Sequence, residues 1–280
     1  MKARITGLLV LMGIISYGQQ ANQAVGGVTS WAGQDDNREG KQVNFTFNVK
    51  GNASDTWLVI ENLYSDIRIE GTSGSEIKIE SMNYRGLPEK AKGLKPLSAT
   101  GPENTGVGLH MKQEGNIINL SGAHKEADRA DYVMYLPKSL NLKIDYNGWQ
   151  VGDVIIKGMA GEVEAKSQVG DLKFIDVTGP LVAHTLSSNV EVTFSSLSPN
   201  SPTSLSSTSG DIDITLPSNA KGLFKMSTIS GGVYTGFDFD FGESEIKRIG
   251  GQSATGKLNG GGVEVTLKSV SGDIYVRKAE

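Results

Sequence analysis

From Val43 the chain alternates: Val43, Phe45, Phe47 and Val49 fall on one face, with Asn44, Thr46, Asn48 and Lys50 on the other. An apolar period of two is that of a strand with one face buried and the other in water. The same pattern predicts strands over 57–63, 66–70 and 76–80, the last two separated by Gly71-Thr72-Ser73-Gly74-Ser75, which is turn chemistry. Further strands are predicted at 109–113, 117–120, 132–136 and 140–144. After residue 18 no segment carries a sustained 3.6-residue apolar stripe, so the pattern predicts an all-β protein with very little helix.

The rhythm breaks between Tyr84 and Gly108. This stretch holds Pro88, Pro96 and Pro102 and the basic residues Arg85, Lys90, Lys92 and Lys95. It is expected to be a long exposed loop with one helical turn around Glu89-Lys90-Ala91. Loops of this length within a compact domain are uncommon and disproportionately functional. The four basic side chains are therefore candidates for meeting an acidic partner, with a merely solvated face as the alternative.

In the C-terminal half a short unit recurs: a glycine, an acidic or small residue, then an alternating strand. It reads Gly152-Asp153-Val154, Gly161-Glu162-Val163, Gly170-Asp171-Leu172, Gly210-Asp211-Ile212, Gly231-Gly232-Val233, Gly261-Gly262-Val263 and Gly272-Asp273-Ile274, with Asn189-Val190 as a copy lacking its glycine. A larger repeat lies over it. Leu136-Pro137 leads to Leu142-Lys143-Ile144 and Gly152, as Leu216-Pro217 leads to Phe224-Lys225-Met226 and Gly231. Each glycine is expected to supply a positive φ at a corner, and each following Asp to bond its own turn. One such strand cannot bury its apolar face alone, so copies must stack, with Val154, Ile156, Leu172, Ile212 and Ile214 pointing inward.

The Leu-Pro block followed by Ser-Gly-Asp-Ile units resembles the toast-rack, adhesin-like β-strand-repeat domains of Bacteroidetes envelopes. The resemblance covers roughly residues 55–280 and is strongest from Tyr132 onward. It implies a right-handed parallel β-solenoid or prism-like stack, with an antiparallel β-sandwich as the alternative. Its motifs specify fold, and it brings no catalytic residues to carry over.

The N-terminus adds a compartment. Lys2 and Arg4 precede an apolar run from Ile5 to Ile15, and Ser16-Tyr17-Gly18 offers small residues at a cleavage site. This is a secretory signal over 1–18, followed by a polar, aperiodic leader over 19–41 and one β-repeat domain over 42–280. Export to the periplasm or cell surface follows. The run is shorter than the roughly 20 residues a spanning helix needs, and no later stretch is apolar enough, so the mature chain is expected to have no transmembrane segment. Cysteine is absent, which removes disulfides and a lipidation cysteine. The net charge of −4 and pI near 5.5 argue against nucleic acid as partner. The 36 glycines have no Gly-x-y period and point to turns.

Candidate chemistry is sparse. Gly251-Gln252-Ser253-Ala254-Thr255-Gly256-Lys257 approaches a phosphate-binding loop, but Leu258 stands where Ser or Thr is needed. The recurring Asp153, Asp171, Asp211 and Asp273 could stack into a calcium-binding ladder, or simply stabilise turns. Phe237-Asp238-Phe239-Asp240-Phe241 presents three aromatics opposite two carboxylates, which reads as a solubilised strand rather than a glycosidase pair. His110, His124 and His184 are isolated, and His124–Asp128 reads as a solvent-exposed polar loop. Tyr146 and Trp149 bracket a turn and form either a sugar-stacking platform or a core cap. No cofactor is implied. The sequence predicts a non-catalytic envelope binding or structural module whose partner is an envelope protein or glycan. A polysaccharide lyase or hydrolase and a calcium-stabilised surface protein are the competing readings.

Overall fold

The computed structural model describes residues 39–242 and 251–280; the signal segment and all but the last residues of the leader lie outside the described residues. Among the described residues, twenty strands and two short 3-10 turns, Ala53–Asp55 and Glu89–Ala91, make up the regular structure. In the first part of the chain the strands are β1 (Lys41–Asn48), β2 (Trp57–Glu61), β3 (Ile67–Thr72), β4 (Glu76–Tyr84), β5 (Leu109–Glu114), β6 (Ile117–Gly122) and β7 (Tyr132–Pro137). The middle holds β8 (Asn141–Tyr146), β9 (Val154–Lys157), β10 (Val163–Ser167), β11 (Leu172–Val177), β12 (Leu181–Thr185), β13 (Val190–Phe194), β14 (Thr203–Ser207) and β15 (Ile212–Leu216). The last part holds β16 (Gly222–Thr228), β17 (Val233–Thr235), β18 (Gln252–Leu258), β19 (Glu264–Ser269) and β20 (Ile274–Lys278).

The strands form two ten-stranded sheets. Sheet A runs β1-β4-β7-β3-β9-β11-β13-β15-β20-β17, and sheet B runs β18-β16-β19-β14-β12-β10-β8-β2-β6-β5. From β8 to β15 the chain alternates between sheets, and from β10 onward each strand pairs in parallel with the strand two before it, as Val163↔Leu142 and Leu172↔Val154. This is the coil of a parallel β-solenoid, and it sets aside the antiparallel sandwich. Antiparallel pairing is confined to the ends, at β1/β4, β4/β7, β5/β6 and β16/β18. The core lies between the sheets. Val154, Leu172, Val190, Ile212 and Ile274 stack inward from sheet A, facing Leu142, Leu205, Val265 and Phe224 of sheet B, and all are buried.

Chain order and stacking order part company at both ends. The first rung, β2 and β3, is not terminal: β2 lies between β6 and β8, and β3 between β7 and β9. The last rung is likewise inserted, with β19 between β14 and β16 and β20 between β15 and β17. Strands β2, β3, β19 and β20 are therefore held on both edges.

The corners correct two expectations. The seven glycine units divide between opposite corners: those at Gly152, Gly170, Gly210, Gly231 and Gly272 lead into sheet A, those at Gly161 and Gly261-Gly262 into sheet B. Of all these glycines only Gly261 has a positive φ, 87°. Gly152, Gly161, Gly170, Gly210, Gly231 and Gly272 are required because neighbouring backbone approaches too closely for a side chain. A Cβ on Gly170 would run into the carbonyl oxygen of Gly152, one on Gly272 into that of Gly210, and one on Gly231 into that of Gly272. Absence of Cβ, not left-handed backbone, selects glycine here.

Candidate functional site

The four recurring acids lie on one corner. There each acid bonds the next rung rather than its own turn. The backbone N–H of Asp153 donates to Asp66 Oδ1 (2.9 Å), Asp171 to Asp153 (2.9 Å) and Asn189 to Asp171 (2.9 Å). The series continues from Asp211 to Asn189 (3.0 Å), Asp273 to Asp211 (2.7 Å) and Gly232 to Asp273 (2.8 Å). A backbone N–H bonded to a carboxylate is a charge-assisted bond, stronger than the neutral ladder bonds beside it. The series stops at Gly232 because β17 is the outermost strand, so no further amide needs an acceptor. Asn189 is a full member, and Asp66, which lacks the glycine, is one the sequence reading missed.

A second, buried series runs inside the same corner. Ser167, Ser207, Thr228 and Ser269 accept from the N–H of Gly170, Gly210, Gly231 and Gly272 three residues on, at 2.8–3.0 Å. Their hydroxyls reach the neighbouring rung, as Ser207 to Ser188 O (3.1 Å) and Thr228 to Gly272 O (2.9 Å). Both series tie neighbouring rungs to one another. Among the described residues no group of three or more His, Asp or Glu side chains is arranged to hold a metal ion.

Loop 84–108 has two different limbs. The outgoing limb matches the expectation: Arg85, Lys90, Lys92 and Lys95 are exposed, with Leu94 and Leu97 exposed beside them, and Lys92 sits 3.5 Å from Glu89. The return limb does not. Thr105, Val107 and Gly108 are buried, and the Asn104 side chain brackets strand β5, donating to Met111 O (2.8 Å) and accepting from Met111 N–H (2.9 Å). Where this limb crosses sheet B it walls a shallow groove of about 240 Å³ over Glu61, Asn62, Thr100, His110, Lys112 and Asn119. Asn62 holds φ 52° there, a left-handed conformation that Asn tolerates better than most residues. Lys112 pairs with Glu114 and holds its carboxyl below the usual range. A second recess, about 350 Å³, opens at the opposite corner under the 195–202 connection, among Ser196, Ser198, Pro199, Asn219 and Lys221.

Within the segment His124–Asp128 only Lys125 is exposed. Glu126 is 2% exposed and Ala127 is fully buried. His124 Nε2 lies 3.2 Å from Tyr84 OH, while its Nδ1 is buried without a partner. Burial holds the His124 pKa below 6.5, against the opposing pull of Glu103 and Glu126. Burial also raises the Asp128 carboxyl, despite the N–H it accepts from Tyr64.

Tyr146 and Trp149 are separated by the fold. Tyr146 is 1% exposed and donates to Ser65 O at 3.0 Å, so it caps the core and is not part of a surface platform; Trp149 stands 85% exposed. The phosphate-loop candidate is strand β18, antiparallel to β16, with Phe239 and Phe241 packed over Gly256. The aromatic row 237–241 is half-buried against Phe224, its Asp238 and Asp240 outward. His184 Nδ1 lies 2.9 Å from Ser206 Oγ. They are register neighbours on the exposed face of two paired strands, and a nucleophile–base pair would need a third group and a cleft.

No helix among the described residues is long and apolar enough to cross a membrane. No curated protein matches the chain. Among solved structures it is similar to a candidate cell adhesion protein from Clostridium sporogenes, at 13% identity and TM-score 0.43, covering 85% of this chain and 100% of that one. It is also similar to a candidate adhesin from Bacteroides fragilis, at 13% identity and TM-score 0.33, covering 85% and 97%. A candidate lipid-binding protein from Parabacteroides distasonis matches at 14% identity and TM-score 0.33, covering 86% and 98%. The model of the Toastrack DUF4097 family matches residues 56–277, a span that takes in the corner ladder and all but the first of the paired strands, and the chain belongs to that family.

Proposed function

We propose that this chain is an exported, non-catalytic binding or structural module of the cell envelope, adhesin-like in mode, acting in the periplasm or at the cell surface. Its partner is an envelope protein or glycan. Residues 1–18 serve as the export signal and 19–41 as a polar leader, and 42–280 form the β-repeat domain. The observation that carries the reading is the engagement of the recurring acids. Asp153, Asp171, Asp211 and Asp273 are committed to neighbouring backbone amides, so the repeat builds a rigid frame. That leaves Arg85, Lys90, Lys92, Lys95 and Trp149 exposed for contact.

Immobilised mature chain (19–280), exposed to envelope polysaccharides, lipopolysaccharide and whole cells, is expected to bind one of them saturably. The Lys90→Ala/Lys92→Ala/Lys95→Ala or Trp149→Ala variant should weaken that binding several-fold. The same mixtures are assayed for new reducing ends and unsaturated uronates, and accumulation of either would replace this reading with an enzymatic one.

A further inference from the structure

Two sheets built from open strands have four outer edges, and three of them are blocked by named contacts. Edge strand β5 is bracketed by Asn104 and by Thr105, whose hydroxyl exchanges hydrogen bonds with the Leu109 backbone. Edge strand β17 is only three residues long, and its Val233 N–H is taken by Gln252 Oε1 (2.7 Å). Edge strand β18 exchanges two backbone hydrogen bonds with Asp240, 2.8 and 2.9 Å, through Lys257. The fourth edge, β1, is eight residues long and pairs on one side only, with β4. Among the described residues none bonds its outer edge.

Proteins normally blunt such an edge with charge, proline or a bulge. Between Gln42 and Val49 strand β1 has no charged residue and no proline, and its one register shift falls at Lys41/Val43. Its inward row, Val43, Phe45 and Phe47, is left half-buried because no further rung covers it. The leader 19–38 contains no alternating apolar run to line that row. A second β1 does.

We propose that β1 is a homotypic docking edge, at which two copies of this chain pair antiparallel about a two-fold axis with Phe45 opposite Phe45. That register sets Val43 against Phe47 on the inner face and Asn44 against Thr46 on the outer face, in both copies by symmetry. No like charges meet within the strands, and every residue of the apolar row meets an apolar partner. The pairing joins the two A sheets edge to edge by strand addition.

The test is sedimentation velocity on the mature chain over a wide concentration range. Reversible dimerisation is expected. Asn44 and Thr46 are exposed, so substitution there spares the fold, which thermal melting verifies. The Asn44→Lys/Thr46→Lys variant places ammonium groups face to face twice and should weaken association by about tenfold. The Asn44→Lys/Thr46→Glu variant places opposite charges there and should associate at least as well as the native chain. Amide exchange in β1 should slow as concentration rises. A monomer at every concentration overturns the proposal, as does undiminished pairing of the double-lysine variant. Protection of β1 independent of concentration overturns it too, by placing the chain's own leader on the edge.

Discussion

The middle rungs and the two ends are built from the same alternating strands, yet they are held differently. In the middle, every strand from β8 to β15 has parallel neighbours on both sides, and Val190, Leu205 and Ile212 are sealed by the rungs before and after them. At the ends the inward rows of Val43–Phe47 and Phe237–Phe241 reach only half burial, and irregular devices replace the repeat: Asn104, Gln252 and the Asp240–Lys257 bridge. A solenoid interior templates itself, since each rung offers the next the surface on which it was itself laid. An end has no next rung, so it must be closed by unique contacts or left open for a partner.

The largest effect that sharpens this contrast comes from removing residues 264–280. Because β19 and β20 are inserted between β14/β15 and β16/β17, the deletion should abolish cooperative unfolding rather than shorten the stack. Circular dichroism melting that stayed sharp would refute the insertion. Next, Ile212→Ala should cost about 2–5 kcal/mol by leaving a cavity, while Phe45→Ala, at a half-buried end, should fall below that range in urea titrations. The two glycine classes should also separate. Gly170→Ala forces a Cβ against the Gly152 carbonyl and should cost about 1–3 kcal/mol or more. At Gly260, φ 88° with open space around it, alanine should cost about 1–2 kcal/mol through backbone strain alone.

Smaller still, Asp171→Ala removes the acceptor for the Asn189 amide and should cost about 1 kcal/mol, whereas Asp171→Asn keeps an acceptor oxygen and should stay near the native midpoint. Addition of EDTA and then calcium is expected to leave both melting midpoints in place; a calcium-dependent rise would make the ladder an ion site. The smallest effect is a pH dependence. His124 has a folded pKa held below 6.5 by burial, so as pH falls through 6.5 the unfolded chain takes up the proton first and stability declines. The decline continues until the folded pKa is passed. His124→Gln should flatten that part of the pH–stability profile, read by chemical denaturation between pH 7 and 5.

Much of the frame was legible in the residues. The strands of the middle, the inward positions of Val154, Leu172 and Ile212, and the Asn189 copy all follow from a period of two and from turn chemistry. The corner physics was not, because Gly-Asp looks the same whether the glycine is needed for a positive φ or for close approach of a rung far away in sequence. One local signal did separate the two corners. A Ser or Thr three residues before the glycine, as at Ser167, Ser207, Thr228 and Ser269, occurs on the ladder corner except at Gly152, which has Trp149 there, and not before Gly161 or Gly261. The burial of Glu126 and Ala127, and of Thr105, Val107 and Gly108 on the return limb, carried no such mark. Both are polar stretches held by strands distant in sequence: His124 lies against Tyr84 of β4, and Tyr132 of β7 donates to Val107 O.

By itself the sequence determined that this chain forms stacked short strands with one apolar face each, since side-chain alternation and turn residues act over a few neighbouring positions. Only the tertiary structure decided which strand lies beside which: that β2–β3 and β19–β20 are enclosed, that the acids bond across rungs, and that β1 alone keeps an open edge among the described residues. The reason is that a parallel strand accepts any neighbour of matching register. The choice among them is set by which edges the rest of the chain has left unpaired.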